Sequence, residues 1–244
     1  MTTLLRIIMV CMGIILIWQV IISVGQVPDY LLPSPNQVII TLYQQHELIY
    51  SQAIPTMVET VLGFLLGIFF GCFAGLCIAF FRPLKYWFLP VLIISQAIPI
   101  FAIAPLLVVW LGYGLASKIA TTILMIFFPV ASALYDGLQR THGEWLDLAK
   151  TMNAKKWRSF FYIQLPAALP RLSSGIRIAA AVAPIGAIAG EWVGSSQGLG
   201  YLMLNANARL QIDVMFAALI VVIIFAVILY FGIDKLLRLA IWWE

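Results

Sequence analysis

Charged residues divide this sequence into long apolar stretches. Between consecutive Asp, Glu, Lys or Arg residues lie uninterrupted runs of 22 residues (Ile7 to Pro28), 22 (Thr60 to Phe81), 32 (Tyr86 to Ser117), 17 (Ile119 to Tyr135) and 20 (Val214 to Ile233). A helix needs about 20 mostly apolar residues to cross about 30 Å of hydrocarbon, so each run can supply a span. A sixth candidate, Leu172 to Val193, carries Arg177 and Glu191 near its two ends, where such side chains can reach the interface. The pattern predicts an all-α polytopic membrane protein, with six transmembrane helices at about 7–24, 58–81, 90–111, 118–137, 172–193 and 214–234, in one domain covering residues 1–244.

The 32-residue run is too long for one straight helix, which at about 1.5 Å per residue would measure about 48 Å. Pro90, Pro99 and Pro105 interrupt it. Two readings stand side by side: an interfacial approach through Tyr86, Trp87 and Phe88 with a span from about Leu92, or a kink buried in protein and facing a cavity. The first run is longer than the apolar core of a secretory signal, and no small-x-small site follows before Pro28, so it is expected to remain as a span.

Between the spans lie three polar segments. Leu32-Pro33-Ser34-Pro35-Asn36 precedes an expected amphipathic helix from Gln37 to about Tyr50, capped by Ser34 or Asn36. Gly194 to Asp213 holds Ser195-Ser196-Gln197-Gly198-Leu199-Gly200 and then Asn205, Asn207 and Arg209. The longest, about 138–169, exceeds what a connection between two spans needs, and long ordered connections usually have a function. Glu144 to Met152 reads as a short helix with Glu144 and Asp147 in its first turns, where the macrodipole favours acids. Asn153 stands where that helix would stop, and Asn tolerates the left-handed conformation of a C-terminal cap. Lys155 to Gln164 reads as a second helix closed by Leu165-Pro166, with a basic and aromatic face made of Lys155, Lys156, Trp157 and Arg158. Taken alone, this segment is either a docking element or a solvated loop whose charges only fix topology.

Composition agrees with a membrane protein. Of 244 residues, 63% are hydrophobic and 10% charged, against about 25% charged in a soluble domain. Disorder needs the reverse balance. The net charge of +4 does not indicate nucleic acid, because the basic residues follow topology instead of clustering on one soluble face. Six spans put both termini on one side, together with Arg6, Arg82, Lys85, Arg140, Lys150, Lys155, Lys156, Arg158, Arg171, Arg177, Lys235 and Arg238. Only Lys118 and Arg209 fall on the other, and this 12 to 2 split predicts cytoplasmic termini. Cys11, Cys72 and Cys77 lie within apolar runs, as small core hydrophobes would.

The loop resembles the cytoplasmic signature of permease subunits of bacterial ABC importers: Glu-Ala-Ala, three residues, Gly, nine residues, Ile, one residue, Leu-Pro. Asp147-Leu148-Ala149, Asn153, Ile163, Leu165 and Pro166 keep the spacing, with Asp147, Leu148 and Asn153 departing in type. Leu32-Pro33-Ser34-Pro35, Pro99 to Pro105 with Trp110-Leu111-Gly112, Leu165-Pro166-Ala167-Ala168-Leu169-Pro170, Gly175-Ile176-Arg177 and Gly198-Leu199-Gly200-Tyr201 resemble the nitrate, sulfonate, taurine and pyrimidine group. Ala189-Gly190-Glu191-Trp192-Val193-Gly194 and Asn205-Ala206-Asn207-Ala208-Arg209 most resemble permeases for the hydroxymethylpyrimidine precursor of thiamine.

The resemblance implies the type I importer permease fold, an inner-membrane location, and partnership with a second permease subunit (most simply an identical copy), two cytoplasmic ATPase subunits and an external substrate-binding protein. It implies coupling to the ATPase through Asp147, Ala149, Asn153, Ala154, Lys155, Lys156, Trp157, Leu165 and Pro166. The sequence holds no Gly-x-x-x-x-Gly-Lys-Ser/Thr loop, so no cofactor is expected on this chain, and ATP with Mg belongs to the partner. Nor is an enzyme expected.

Gln96, Pro99, Glu191 and Trp192 are the candidate pathway residues. Glu191 gates or contacts a polar substrate, or simply sits at the interface. Arg177 snorkels, or pairs internally with Asp136. Gly63, Gly67, Gly71 and Gly75 form a small-residue stripe that suits close helix packing, here expected to support a dimer, with a substrate role the weaker alternative. The rival classes are an ion-driven carrier and a membrane enzyme. Carriers need buried ionisable groups, which the pattern places at span ends instead, and His46 and His142 fall on opposite sides, so no catalytic or metal cluster forms.

Overall fold

The structure, a computed structural model, describes residues 2–81, 86–87, 90, 94 and 98–243. Gln96, Leu92, Arg82 and Lys85 lie outside the described residues. The described regular elements are helical: α1 (Thr2–Gly25), α2 (Pro35–Gln44), α3 (His46–Phe80), α4 (Ile100–Leu111), α5 (Leu115–Gln139), α6 (Gly143–Thr151), α7 (Lys156–Ser159), a π-turn (Phe160–Gln164), α8 (Leu165–Gly194), α9 (Leu199–Ala208) and α10 (Ile212–Ala240). By length and composition, four stretches can cross a membrane: His46–Phe80, Leu115–Gln139, Lys156–Gly194 and Ile212–Ala240. Met12–Gly25 and Ile100–Leu111 are shorter apolar helices.

Local chemistry sets several boundaries. Ser34 caps α2 by accepting a hydrogen bond from the Gln37 N–H at 3.2 Å, with Pro35 in the first turn, where its missing N–H costs nothing. The amphipathic helix expected to reach Tyr50 ends at Gln44, and His46 begins α3, whose 35 residues measure about 52 Å. The second span therefore belongs to a helix that starts 12 residues before its expected first residue, 58. In the long third run, Pro99 is extended (φ −60°, ψ 128°) at the N-cap position of α4, which begins at Ile100, while the expected span start near Leu92 lies outside the described residues.

A larger correction concerns Leu165-Pro166, which does not close a helix. The Leu165 N–H reaches back five residues to the Phe160 carbonyl, and the chain passes through the π-turn directly into α8. Widening the spacing for one turn relieves the ladder where Pro166 offers no donor. Lys156 to Gly194 thus forms one 39-residue helical stretch.

Contacts divide the chain into two compact units: residues 1–55 with 196–223, and residues 56–195 with 224–244. In the first, Trp18 stacks near Phe216 (centroids 5.4 Å), Thr41 donates to Asp213 Oδ2 (2.8 Å), and the Gly198 N–H donates to Gln52 Oε1 (2.6 Å).

In the second, α5 lies between two stripes of small residues. A Cβ on Gly63, Gly67 or Gly71 would collide with Thr122, Ile126 or Val130, and one on Gly75 would come within 2.9 Å of the Ala131 carbonyl oxygen. From α8, a Cβ on Gly175, Gly186 or Gly190 would fall 2.7, 2.8 or 2.9 Å from Pro129 O, Thr122 Cα or Lys118 Cα. Lipid is as apolar as Leu, so close backbone approach is what holds such helices together. Phe64, Ile126, Val130, Ala179, Ala180 and Ala183 fill the centre. The Gly63 to Gly75 stripe is consumed inside one chain and gives no argument for a dimer.

Candidate functional site

The loop between α5 and α8 is built by one left-handed residue. Asn153 has φ 55°. Its N–H bonds to the Lys150 carbonyl (2.9 Å), and the Ala154 N–H bonds to the Ala149 carbonyl (2.9 Å), the paired bonds of a Schellman cap. Those bonds satisfy the last carbonyls of α6 and turn the chain towards α7. Ala149 is the one buried residue of α6, while Leu148 is 61% exposed. The departure from Ala at position 148 therefore crowds nothing, because that position faces outward. Asp147 pairs with Lys150 at 2.8 Å on an exposed face, an interaction worth at most about 1 kcal/mol.

Lys155, Lys156 and Trp157 are exposed, as are Trp145, Met152 and Tyr162. Phe160 is not. It is buried among Leu134, Leu138 and Ala168, with its ring 4.6 Å from that of Phe80. It anchors the loop to its own chain and is not presented to a partner. Leu165 and Pro166 are half-buried at the start of α8, continuing the helix.

The second feature is a buried polar cluster that the sequence reading missed. Lys118 Nζ lies 2.8 Å from Glu59 Oε1, with side-chain exposures of 4% and 1%. One turn before Glu59, Thr56 Oγ1 donates to Glu191 Oε1 at 2.6 Å, and Thr60 Oγ1 donates back to the Thr56 carbonyl at 2.7 Å. Residues of α3, α5 and α8 are thereby joined by charge and hydrogen bonds within the second unit. The interfacial, solvent-accessible placement of Glu191 is overturned, since only 1% of it is exposed. Ionisable residues assigned to span ends are in fact buried. The Lys118 and Glu59 charges persist at this depth because they are paired.

The neighbouring Trp192 diverges from Glu191. It is 41% exposed and lies against Phe101 (centroids 5.6 Å), while Pro99 is exposed at the start of α4. Of the four candidate pathway residues, Gln96 lies outside the described residues, Glu191 is buried, and Pro99 and Trp192 are exposed. A groove of about 710 Å³ runs instead between α5 and α8, lined among others by Ser132, Asp136, Arg171 and Ser174. The spacing of Ser132 to Asp136 and of Arg171 to Ser174, four and three residues, was the available signal. Arg177 pairs with Asp234 (Nε to Oδ1, 2.7 Å) and not with Asp136, because Asp234 of α10 faces it across the helix contact. Among the described residues no cluster of His, Cys, Asp and Glu could hold a metal ion.

Long apolar helices packed through small-residue stripes, with a capped helical loop joining α5 to α8, suit a transport permease. Residues 63–241 match the family described as the binding-protein-dependent transport system inner membrane component, and the chain belongs to that family. It is 52% identical over 229 residues, 94% of each chain, to a probable ABC transporter permease protein of Haemophilus influenzae. It is 32% identical, over 95% of this chain and 92% of the relative, to the formylaminopyrimidine transport permease ThiX of Halalkalibacterium halodurans. In fold it resembles the MetNI methionine ABC transporter, with a TM-score of 0.67 at 20% identity, covering 80% of this chain and 97% of that one. The chain is thus the multi-pass inner-membrane permease subunit of an ABC importer, not an enzyme, and the carrier and membrane-enzyme readings fall away.

Proposed function

We propose that this permease carries a small polar heterocycle of the thiamine pyrimidine type, received from an external binding protein, through a pathway shared with a second, identical permease subunit. Both termini are cytoplasmic, and α6, Asn153 and α7 seat on the ATPase. The observation that supports this most is the Schellman turn at Asn153, which presents an exposed face with Leu148, Met152 and Trp157. Exposed apolar groups rimmed by charge suit a protein partner. Because α7 runs through the π-turn into α8, a push on the loop passes along one helix to Glu191, where α8 meets α3. A rigid element of that kind can convert closure of the ATPase pair into a change of access to the groove. Direction then requires the outward state to bind the closed ATPase better than the inward state does.

The substrate class is supported by the likeness to the formylaminopyrimidine permease. A second reading, nitrate, sulfonate or taurine, is favoured by the cationic Arg171 beside the groove. Uptake of labelled hydroxymethylpyrimidine, by cells expressing the chain with its ATPase and binding protein, tests the choice. Pyrimidine uptake that stops when ATP is depleted is expected. Uptake of a labelled sulfonate in its place would move the assignment to the second reading.

A further inference from the structure

The groove between α5 and α8 is an open face that carries two opposite charges. Phe128, Ser132 and Asp136 of α5 and Arg171, Ser174 and Ile178 of α8 line its volume of about 710 Å³. Their spacings, four and four on α5, three and four on α8, put each set on one side of its helix. Gly175 closes the floor: a Cβ there would fall 2.5 Å from that of Ala133, so the two backbones meet beneath the groove. Asp136 and Arg171 are both exposed, and among the described residues neither side chain has an ion-pair partner.

The mixed chemistry of this face decides what covers it. Further along the same two stripes stand Leu124 and Ile185, four residues before Phe128 and seven after Ile178, both exposed. Lipid would suit Leu124, Ile178 and Ile185 but would leave two bare charges against it, and water would do the reverse. A second copy of this chain suits both. Two copies inserted in the same orientation form a closed pair about a two-fold axis along the membrane normal, and across that axis one patch meets itself. With the axis running along the groove, α5 of each copy faces α8 of the other. Asp136 and Arg171 stand at the same end of the helix pair, the end that carries the α6 to α7 loop. The carboxylate of each copy therefore meets the guanidinium of the other, while apolar residues meet apolar ones further along.

We propose that the α5 and α8 face is the contact surface for a second copy of this chain, closed at the loop end by two reciprocal ion pairs, Asp136 of each copy with Arg171 of the other. The two grooves then face each other and enclose one chamber. Exposed ion pairs are weak enough to be made and broken, as a contact that opens in each transport cycle must be. This placement rests on the reading of an identical permease pair, whose contact surface it supplies.

The test expresses two full-length copies with different affinity tags together and reads their copurification from detergent. Wild-type copies should copurify. Asp136→Arg in both copies, or Arg171→Asp in both, sets like charges against each other at two places and should lower copurification at least tenfold. Asp136→Arg in one copy with Arg171→Asp in the other restores opposite pairs only across the interface, and recovery to within twofold of the wild type is expected. If that mixture fails to recover while both changes within one chain do, the pair lies inside each chain and the proposal is overturned. Charge reversals that copurify like the wild type would also overturn it, yet leave the identical pair standing. Wild-type copies that never copurify would remove the identical pair itself. A second measurement does not depend on weakened assembly: with Cys11, Cys72 and Cys77 replaced by Ala, Asp136→Cys in one copy and Arg171→Cys in the other should be joined by a short bismaleimide. Copies that copurify without that cross-link would overturn the proposal.

Discussion

Lys118 and Glu59 form an ion pair in which neither side chain is more than 4% exposed. Fifty-nine residues separate them in sequence, and each borders a charge-free run, so the sequence reading placed both at the edges of spans. The pair instead fixes α3 against α5 next to the Thr56 to Glu191 hydrogen bond.

Lys118→Met should cost about 3–5 kcal/mol, because it leaves Glu59 buried without its counter-charge. Adding Glu59→Leu should recover most of the loss, since an apolar pair of similar volume is often neutral or better. Thermal unfolding of the single and double variants in detergent checks this. A single variant no worse than the double would mean that the pair contributes only what an exposed one does.

Gly67→Ala should destabilise the chain by about 1–3 kcal/mol, the usual effect of inserting a methyl into a packed contact. The added Cβ meets the Ile126 side chain, so Gly67→Ala and Ile126→Ala together should cost less than the sum of the two alone. The stripe is spent within the subunit, and the defect should therefore appear in the amount of folded chain. Dissociation of an otherwise stable subunit would show instead that the stripe serves assembly.

What the sequence disclosed and what it withheld differ in range. The Ser34 cap and the Asn153 turn are decided within four residues, by side-chain and backbone preferences that any reader of the chain can apply. The run through Pro166 was misread because a proline usually ends a helix, and only the five-residue bond from Leu165 to Phe160 shows how this one continues. Arg177 finds Asp234, 57 residues away, and Glu191 finds Thr56, 135 away. Such partners are chosen by helix packing, which charge-free runs do not encode. The glycine stripe was legible as a packing surface, but which helix it meets was not.

The 12 to 2 division of Lys and Arg predicts cytoplasmic termini. A reporter active only outside the cytoplasm should be silent when fused after Trp157 and active after Gln45 or Gln197. The opposite pattern would reverse the membrane orientation and take the α6 to α7 loop away from any ATPase.

Coupling through that loop is the centre of the account, and Asn153 tests it most directly. At φ 55° the position accepts Gly freely, whereas a β-branched residue is a genuine outlier there. The measurement is substrate uptake in cells, read beside copurification of the ATPase from the same membranes. Asn153→Gly should transport as the wild type does. Asn153→Val should insert in normal amount but lose at least tenfold in uptake, together with the bound ATPase. An Asn153→Val chain that transports normally with its ATPase still attached would reduce the loop to a connector and contradict the coupling assignment.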